Sequence, residues 1–156
     1  MAKLKKEILT VEEVNRLLSS VSNRSLRGRT FRALMGLMYR SGIRVSEALA
    51  LQPSDLDKGR KCVTIRSGKG DKYRTVGVCD DAWPAIERLM AFKARHGLPA
   101  SPVFVTKAGT PLERYSVWRS LKRIARRAGL EKRVNPHCFR HTLAFELSQE
   151  GTPIKI

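Results

Sequence analysis

The sequence predicts an α+β fold, a mainly helical domain carrying one small antiparallel β-sheet. Three observations lead there. Apolar residues recur at three- and four-residue intervals along most of the chain. That period gives way once, between Lys61 and Val78, to two β-branched stretches flanking a glycine-rich turn. No repeat, low-complexity stretch or linker interrupts the 156 residues, so a single domain is expected.

The elements follow in order. Thr10-Val11-Glu12-Glu13 is a capping-box sequence, and Val11, Val14, Leu17, Leu18 and Val21 continue at helical spacing, which predicts a first helix near 11–21. Phe31, Leu34, Met35 and Met38 share one face of a second helix that Gly42 terminates. A short third helix should begin near Ile43 and end before Pro53. Lys61 to Arg66 and Tyr73 to Val78 read as a hairpin around Ser67-Gly68-Lys69-Gly70-Asp71. Trp83, Ile86, Leu89, Met90 and Lys93 restore helical spacing until Gly97 and Pro99, and Val103-Phe104-Val105 is a short strand candidate. Val117, Leu121, Ile124 and Ala128 mark a further helix whose opposite face is basic. Asn135 is a good N-cap for the last helix, with Pro136 in its first position and an apolar line through Phe139, Leu143 and Leu147.

Charge is the strongest global signal. There are 31 Lys and Arg against 14 Asp and Glu, a net +17, and an excess of that size points to a polyanion, because phosphates neutralised by cations release condensed counterions. A membrane surface fits less well, since no segment pairs a basic face with a bulky apolar one. Cys62, Cys79 and Cys138 are odd in number and widely spaced, which argues against a disulfide framework and a structural zinc site. The basic N-terminus has no apolar stretch after it, and no run reaches membrane-spanning length. A cytoplasmic, nucleic-acid-associated protein without a membrane partner is expected.

Three clusters are candidates for chemistry. His137 and Arg140 share a face at the start of the last helix, with His141 one turn beyond His137. Cations there break the preference of a helix N-terminus for anions, while an Arg and a His beside free amides suit one phosphate. Arg44 follows the glycine corner at Gly42, and its planar fork matches a phosphate, with Glu47 three residues on to hold the guanidinium. Lys69 stands between two glycines at the hairpin tip, a long reach on a mobile support, and Lys72 and Arg74 are backbone-contact candidates beside it. The Walker spacing is absent, since it would need a glycine at Val63 and a hydroxyl at Gly70. Each cluster also has a plain reading: a surface basic patch, an intrahelical Arg–Glu pair, a basic turn.

In order along the chain, Gly42-Ile43-Arg44-Val45-Ser46-Glu47-Ala48-Leu49, Gly68-Lys69-Gly70 and His137-x-x-Arg140-His141 closely resemble the tyrosine recombinase, or phage integrase, family. Leu9-Thr10-Val11-Glu12-Glu13 is similar to the helix opening of that family's catalytic domain, so the resemblance runs from about residue 8 to the end. It implies the tyrosine recombinase catalytic-domain fold and site-specific DNA recombination or integration, as in phages and mobile elements. The reaction is a transesterification through a 3′-phosphotyrosyl bond, needing no metal or other cofactor. By resemblance, Arg44 and Arg140 clamp the scissile phosphate, Lys69 is the general acid for the leaving 5′ oxygen, and His137 hydrogen-bonds the phosphate. Glu47 and His141 are supporting residues behind them, and Lys72, Arg74, Arg119, Lys122 and Arg123 contact DNA. The partners implied are a double-stranded recombination site and further copies of the protein, a tetramer in this family.

The family pattern continues past Ile156 to a tyrosine nucleophile, and usually begins with a helical domain before the position of Leu9. The expectation is therefore one catalytic domain over 1–156 that supplies the phosphate-activating residues and not the nucleophile. Tyr39, Tyr73 and Tyr115 all precede the His-x-x-Arg helix. The alternative is a DNA-binding or regulatory fragment of a recombinase that performs no chemistry.

Overall fold

The computed structural model describes residues 8–66 and 72–151. Helix α1, Val11–Ser19, opens with the expected capping box: the Thr10 hydroxyl accepts from the Glu13 amide at 3.1 Å, and the Glu13 carboxylate accepts from the Thr10 amide at 2.9 Å. Helix α2, Leu26–Ser41, starts on the Ser25 hydroxyl and stops at Gly42, whose φ of 73° is the left-handed geometry a glycine adopts without cost. Its apolar surface is wider than the sequence pattern suggested. Ala33, Leu37 and Tyr39 are buried along with Phe31, Leu34, Met35 and Met38, which makes α2 the central rod of the domain rather than a half-exposed helix.

Helix α3 is a single turn, Val45–Leu49. It is shorter than expected because Ile43 is used as a buried plug in the corner and Pro53–Asp55 forms a separate 3-10 turn. The sheet has three antiparallel strands in the order β1 Leu56–Asp57, β2 Cys62–Arg66, β3 Tyr73–Gly77. Val63 opposes Val76 and Ile65 opposes Arg74 across the hairpin. Strand β1 has two residues, too few for an alternation to show. Lys61, expected as the first residue of β2, instead occupies the preceding turn with φ 55°.

Helix α4, Trp83–Arg95, packs along α2. The segment Val103-Phe104-Val105 is not a strand. Its three side chains are buried and its backbone serves other partners: Val103 donates to the Leu51 carbonyl at 2.9 Å, and Val105 makes a single bridge to Pro111. Helix α5, Arg114–Arg127, buries Val117, Leu121 and Ile124, and Arg16 of α1 closes its far end by donating to the carbonyls of Ala128 and Gly129 at 2.8 and 3.1 Å. Helix α6, Pro136–Gln149, is capped by Asn135 as expected and packs on α2. Its first turns are buried through Cys138, Phe139 and Thr142, whereas Leu143 and Leu147 are half-buried, so the apolar line fades along the helix.

The chain's start is tied to α6. The Thr142 hydroxyl donates to the Cys138 carbonyl and accepts from the Leu9 amide at 2.9 Å, while Lys132 donates to the Ile8 carbonyl and the Glu13 carboxylate. No helix among the described residues is long and apolar enough to cross a membrane.

Candidate active site

Arg44 is presented by the corner between α2 and α3. Gly42 turns the chain, Ile43 anchors it in the core, and Arg44 takes the extended N-cap position of α3 with its side chain exposed. Glu47 secures that corner through the backbone, accepting from the Arg44 amide at 2.9 Å. Its carboxylate does not hold the Arg44 guanidinium, as the spacing had suggested. It grips Arg74 of β3 instead, in a two-pronged ion pair of 2.6 and 3.0 Å. Arg74, expected as a DNA contact, therefore has its guanidinium committed to Glu47.

Arg140 enters from α6, one turn inside the Asn135 cap, and is half-buried. Burial lowers its pKa from the ordinary guanidinium value, and the positive charges of Arg44 and Arg74 lower it further against an opposing pull from Glu47. Arg140, Arg44, Glu47 and Arg74 therefore share one electrostatic neighbourhood, although α3, β3 and α6 are remote in sequence. Among the described residues, neither Arg44 nor Arg140 has an ion pair with a carboxylate. Two guanidiniums that repel each other, neither ion-paired among the described residues, favour an incoming anion.

His137 is exposed in the first turn of α6, its amide bonded to Asn135 Oδ1 at 3.0 Å. Its ring stands edge-on to Trp118 of α5, centroids 5.8 Å apart at 72°, and stacks on His141 at 6.2 Å. The sequence pattern does not single out Trp118, and nothing in its spacing marks it as the wall behind a histidine. Arg119 and Lys122 line a groove of about 510 Å³ with Trp118, Arg126, Arg133 and Asn135, so a basic channel leads to the start of α6. Arg123 is not in it. It opens onto a separate depression of about 300 Å³ with Arg27 and Arg127. Lys72 is exposed just before β3, and Lys69 lies outside the described residues. A larger, mainly apolar cavity of about 770 Å³ sits at the Leu26 end of α2, among Leu26, Phe31 and Phe92, with Arg27 and Lys107 also in its lining. Among the described residues, no three His, Cys, Asp or Glu side chains are grouped as a metal site requires.

The profile of the phage integrase family matches residues 7–156. The chain belongs to that family. Among curated relatives, tyrosine recombinase XerD of Mycobacterium leprae is 36% identical over 165 residues, covering 95% of this chain and 50% of the relative. XerD of Halalkalibacterium halodurans is 33% identical, with 94% and 50% covered. The chain thus spans about half the length of the curated relatives it matches. Among solved folds, XerA recombinase superposes with a TM-score of 0.84 at 26% identity, covering 94% of this chain and 51% of that one. XerH site-specific recombinase, in a pre-cleavage complex with its difH substrate, gives 0.74 at 26% identity, covering 92% and 43%. The family's fold is the observed one: helices around α2, with a small antiparallel sheet on one side.

Proposed function

We propose that this chain is the catalytic domain of a site-specific DNA recombinase, and that it holds and activates the scissile phosphate. The observation that carries the reading is that the Gly42 corner presenting Arg44 lies against Leu143 of α6, the helix that bears Arg140, and that neither guanidinium is ion-paired with a carboxylate among the described residues. On this reading the two forks bind the non-bridging oxygens and stabilise the charge of the pentacoordinate transition state. His137, at the positive end of α6, hydrogen-bonds the same phosphate, with His141 behind it. Lys69 protonates the departing 5′ oxygen. Arg119 and Lys122 hold the duplex backbone along the α5 groove, and Lys72 and Arg123 contact it elsewhere. The substrate is a double-stranded recombination site, and the complete protein assembles as a tetramer on two sites.

The attacking group in this chemistry is a tyrosine that leaves a 3′-phosphotyrosyl bond. Tyr39 is unsuited to it: burial and the bond to Glu146 push its pKa up to about 12, and its hydroxyl donates to that carboxylate at 2.6 Å. Tyr73 and Tyr115 are exposed on β3 and α5. None of the three is assigned the role. The test is a version of the domain carrying the family's tyrosine segment, incubated with a nicked duplex that traps the covalent complex. Arg44→Ala and Arg140→Ala are each expected to abolish trapping while most salt-sensitive binding survives; full trapping in both would defeat the assignment. Lys69→Ala should slow cleavage of a normal 5′ oxygen far more than of a 5′ thiol, which leaves without protonation.

The basic α5 groove also supports a second reading, occupation of DNA without chemistry. It predicts that Arg44→Ala and Arg140→Ala weaken DNA binding no more than removal of any exposed cation on α5.

A further inference from the structure

Glu47 is an anion placed among three guanidiniums. Its oxygens receive the Arg44 amide and both prongs of Arg74, and the charges of Arg74 and Arg44 act on it. Arg140 in turn feels Glu47. A carboxylate in that position has a simple alternative: to swing onto Arg44, its neighbour across one helical turn, or onto Arg140, and fill the space a phosphate would take. Bidentate pairing with carboxylate and with phosphate uses the same fork geometry, so the two anions compete for one partner.

Resting on the phosphate-clamp reading above, we infer that Arg74 is a positioning residue that keeps the Glu47 carboxylate occupied and so leaves the Arg44 and Arg140 forks open for the DNA phosphate. The geometry fits this in three respects. The pair is bidentate, so both Glu47 oxygens are satisfied. Glu47 is only 15% exposed, so a carboxylate released from Arg74 gains little from water and turns to the nearest cation. Arg74 comes from β3, a different element from the corner that carries Arg44 and Glu47, so the hold on Glu47 is a tertiary contact rather than one within the α3 turn. The pair also ties β3 to the corner that carries Arg44.

The test titrates the folded chain with inorganic phosphate and follows the side-chain Nε–H resonances of Arg44 and Arg140 by NMR. Arg74→Ala is expected to weaken phosphate binding about tenfold, as loss of an open bidentate site would. The deciding variant is E47Q/R74A: with the carboxylate gone there is nothing to hold off, so E47Q and E47Q/R74A should both bind phosphate within about twofold of the wild-type chain. A merely structural tie predicts a double variant as weak as R74A. A direct Arg74–phosphate contact predicts the same loss from R74A in both backgrounds. Either result overturns the inference, as does unchanged binding in R74A. If R74A does not fold, Arg74→Lys makes the same comparison, since a lysine holds the carboxylate by one point contact: R74K should weaken binding and E47Q/R74K should match E47Q. Phosphate that leaves both arginine signals of the wild-type chain unmoved would overturn the clamp itself, and the role of Arg74 with it.

Discussion

Trp118 of α5 stands edge-on to His137 in the first turn of α6, ring centroids 5.8 Å apart, and so backs that imidazole. Such a pair contributes about 1 kcal/mol beyond its burial. Trp118→Leu and His137→Ala should each destabilise the domain in urea unfolding. Their double variant should fall short of the sum by about that amount. Additive effects would separate the two rings energetically.

Thr142→Val tests the link between the chain's start and α6. The substitution keeps the shape but leaves the Leu9 amide without its acceptor. An unsatisfied buried amide costs about 1–3 kcal/mol. The expected outcome is a matching loss in unfolding free energy, with faster hydrogen exchange at Leu9 than at Val14.

Lys93 is 1% exposed, and its ammonium donates to the carbonyls of Ala100, Pro102 and Val103 at 3.0, 2.8 and 2.8 Å. Burial lowers its pKa, while the three acceptors keep the charged form in place. Lys93→Met fills the space but strands the carbonyls, and is expected to cost about 3 kcal/mol. Retained stability would show that the loop finds other donors.

Acid should loosen the domain at two places. Burial alone would raise the carboxyl pKa of Glu13 and Glu47, but hydrogen bonds from Lys132 and Arg74 respectively outweigh it and hold both below the ordinary 4.5. A depressed folded-state pKa means that the stabilisation is complete above the unfolded value and is lost as pH falls through the folded one. Wild-type stability should therefore drop below about pH 4.5, and Glu13→Gln and Glu47→Gln should flatten that drop. Unchanged acid profiles in both would refute it.

The α5 groove makes a prediction about salt. Each backbone phosphate contact adds about one unit to the slope of log affinity against log salt. Arg119→Ala and Lys122→Ala should each reduce that slope by roughly one on duplex DNA. Arg123→Ala is the informative comparison, because its side chain opens onto the separate depression with Arg27 and Arg127.

Most of the helices could be read from the chain because their signals are local. The Thr10–Glu13 box, Gly42 and the Asn135–Pro136 pair mark boundaries with the residues themselves. What failed to show was set by partners elsewhere. Val103, Phe104 and Val105 have strand-like side chains, yet the Leu51 carbonyl and the Lys93 ammonium claim their backbone. Glu47 was assigned to Arg44 because they are neighbours in sequence, whereas its ion-pair partner lies across a hairpin. The site was visible as residue types in order, and the family resemblance rests on them. Trp118 was not, since an indole on a half-buried helix face looks like ordinary packing.

Gly42 has one more role. A side chain at that position would meet Leu143 Cδ2 at 3.1 Å, and Leu143 sits on α6, one turn beyond Arg140. The residue that turns the chain toward Arg44 is thus also a point of close contact between that corner and the helix that carries Arg140. A methyl group there would need the Leu143 side chain to give by a few tenths of an ångström and would strain the left-handed backbone, without touching either arginine.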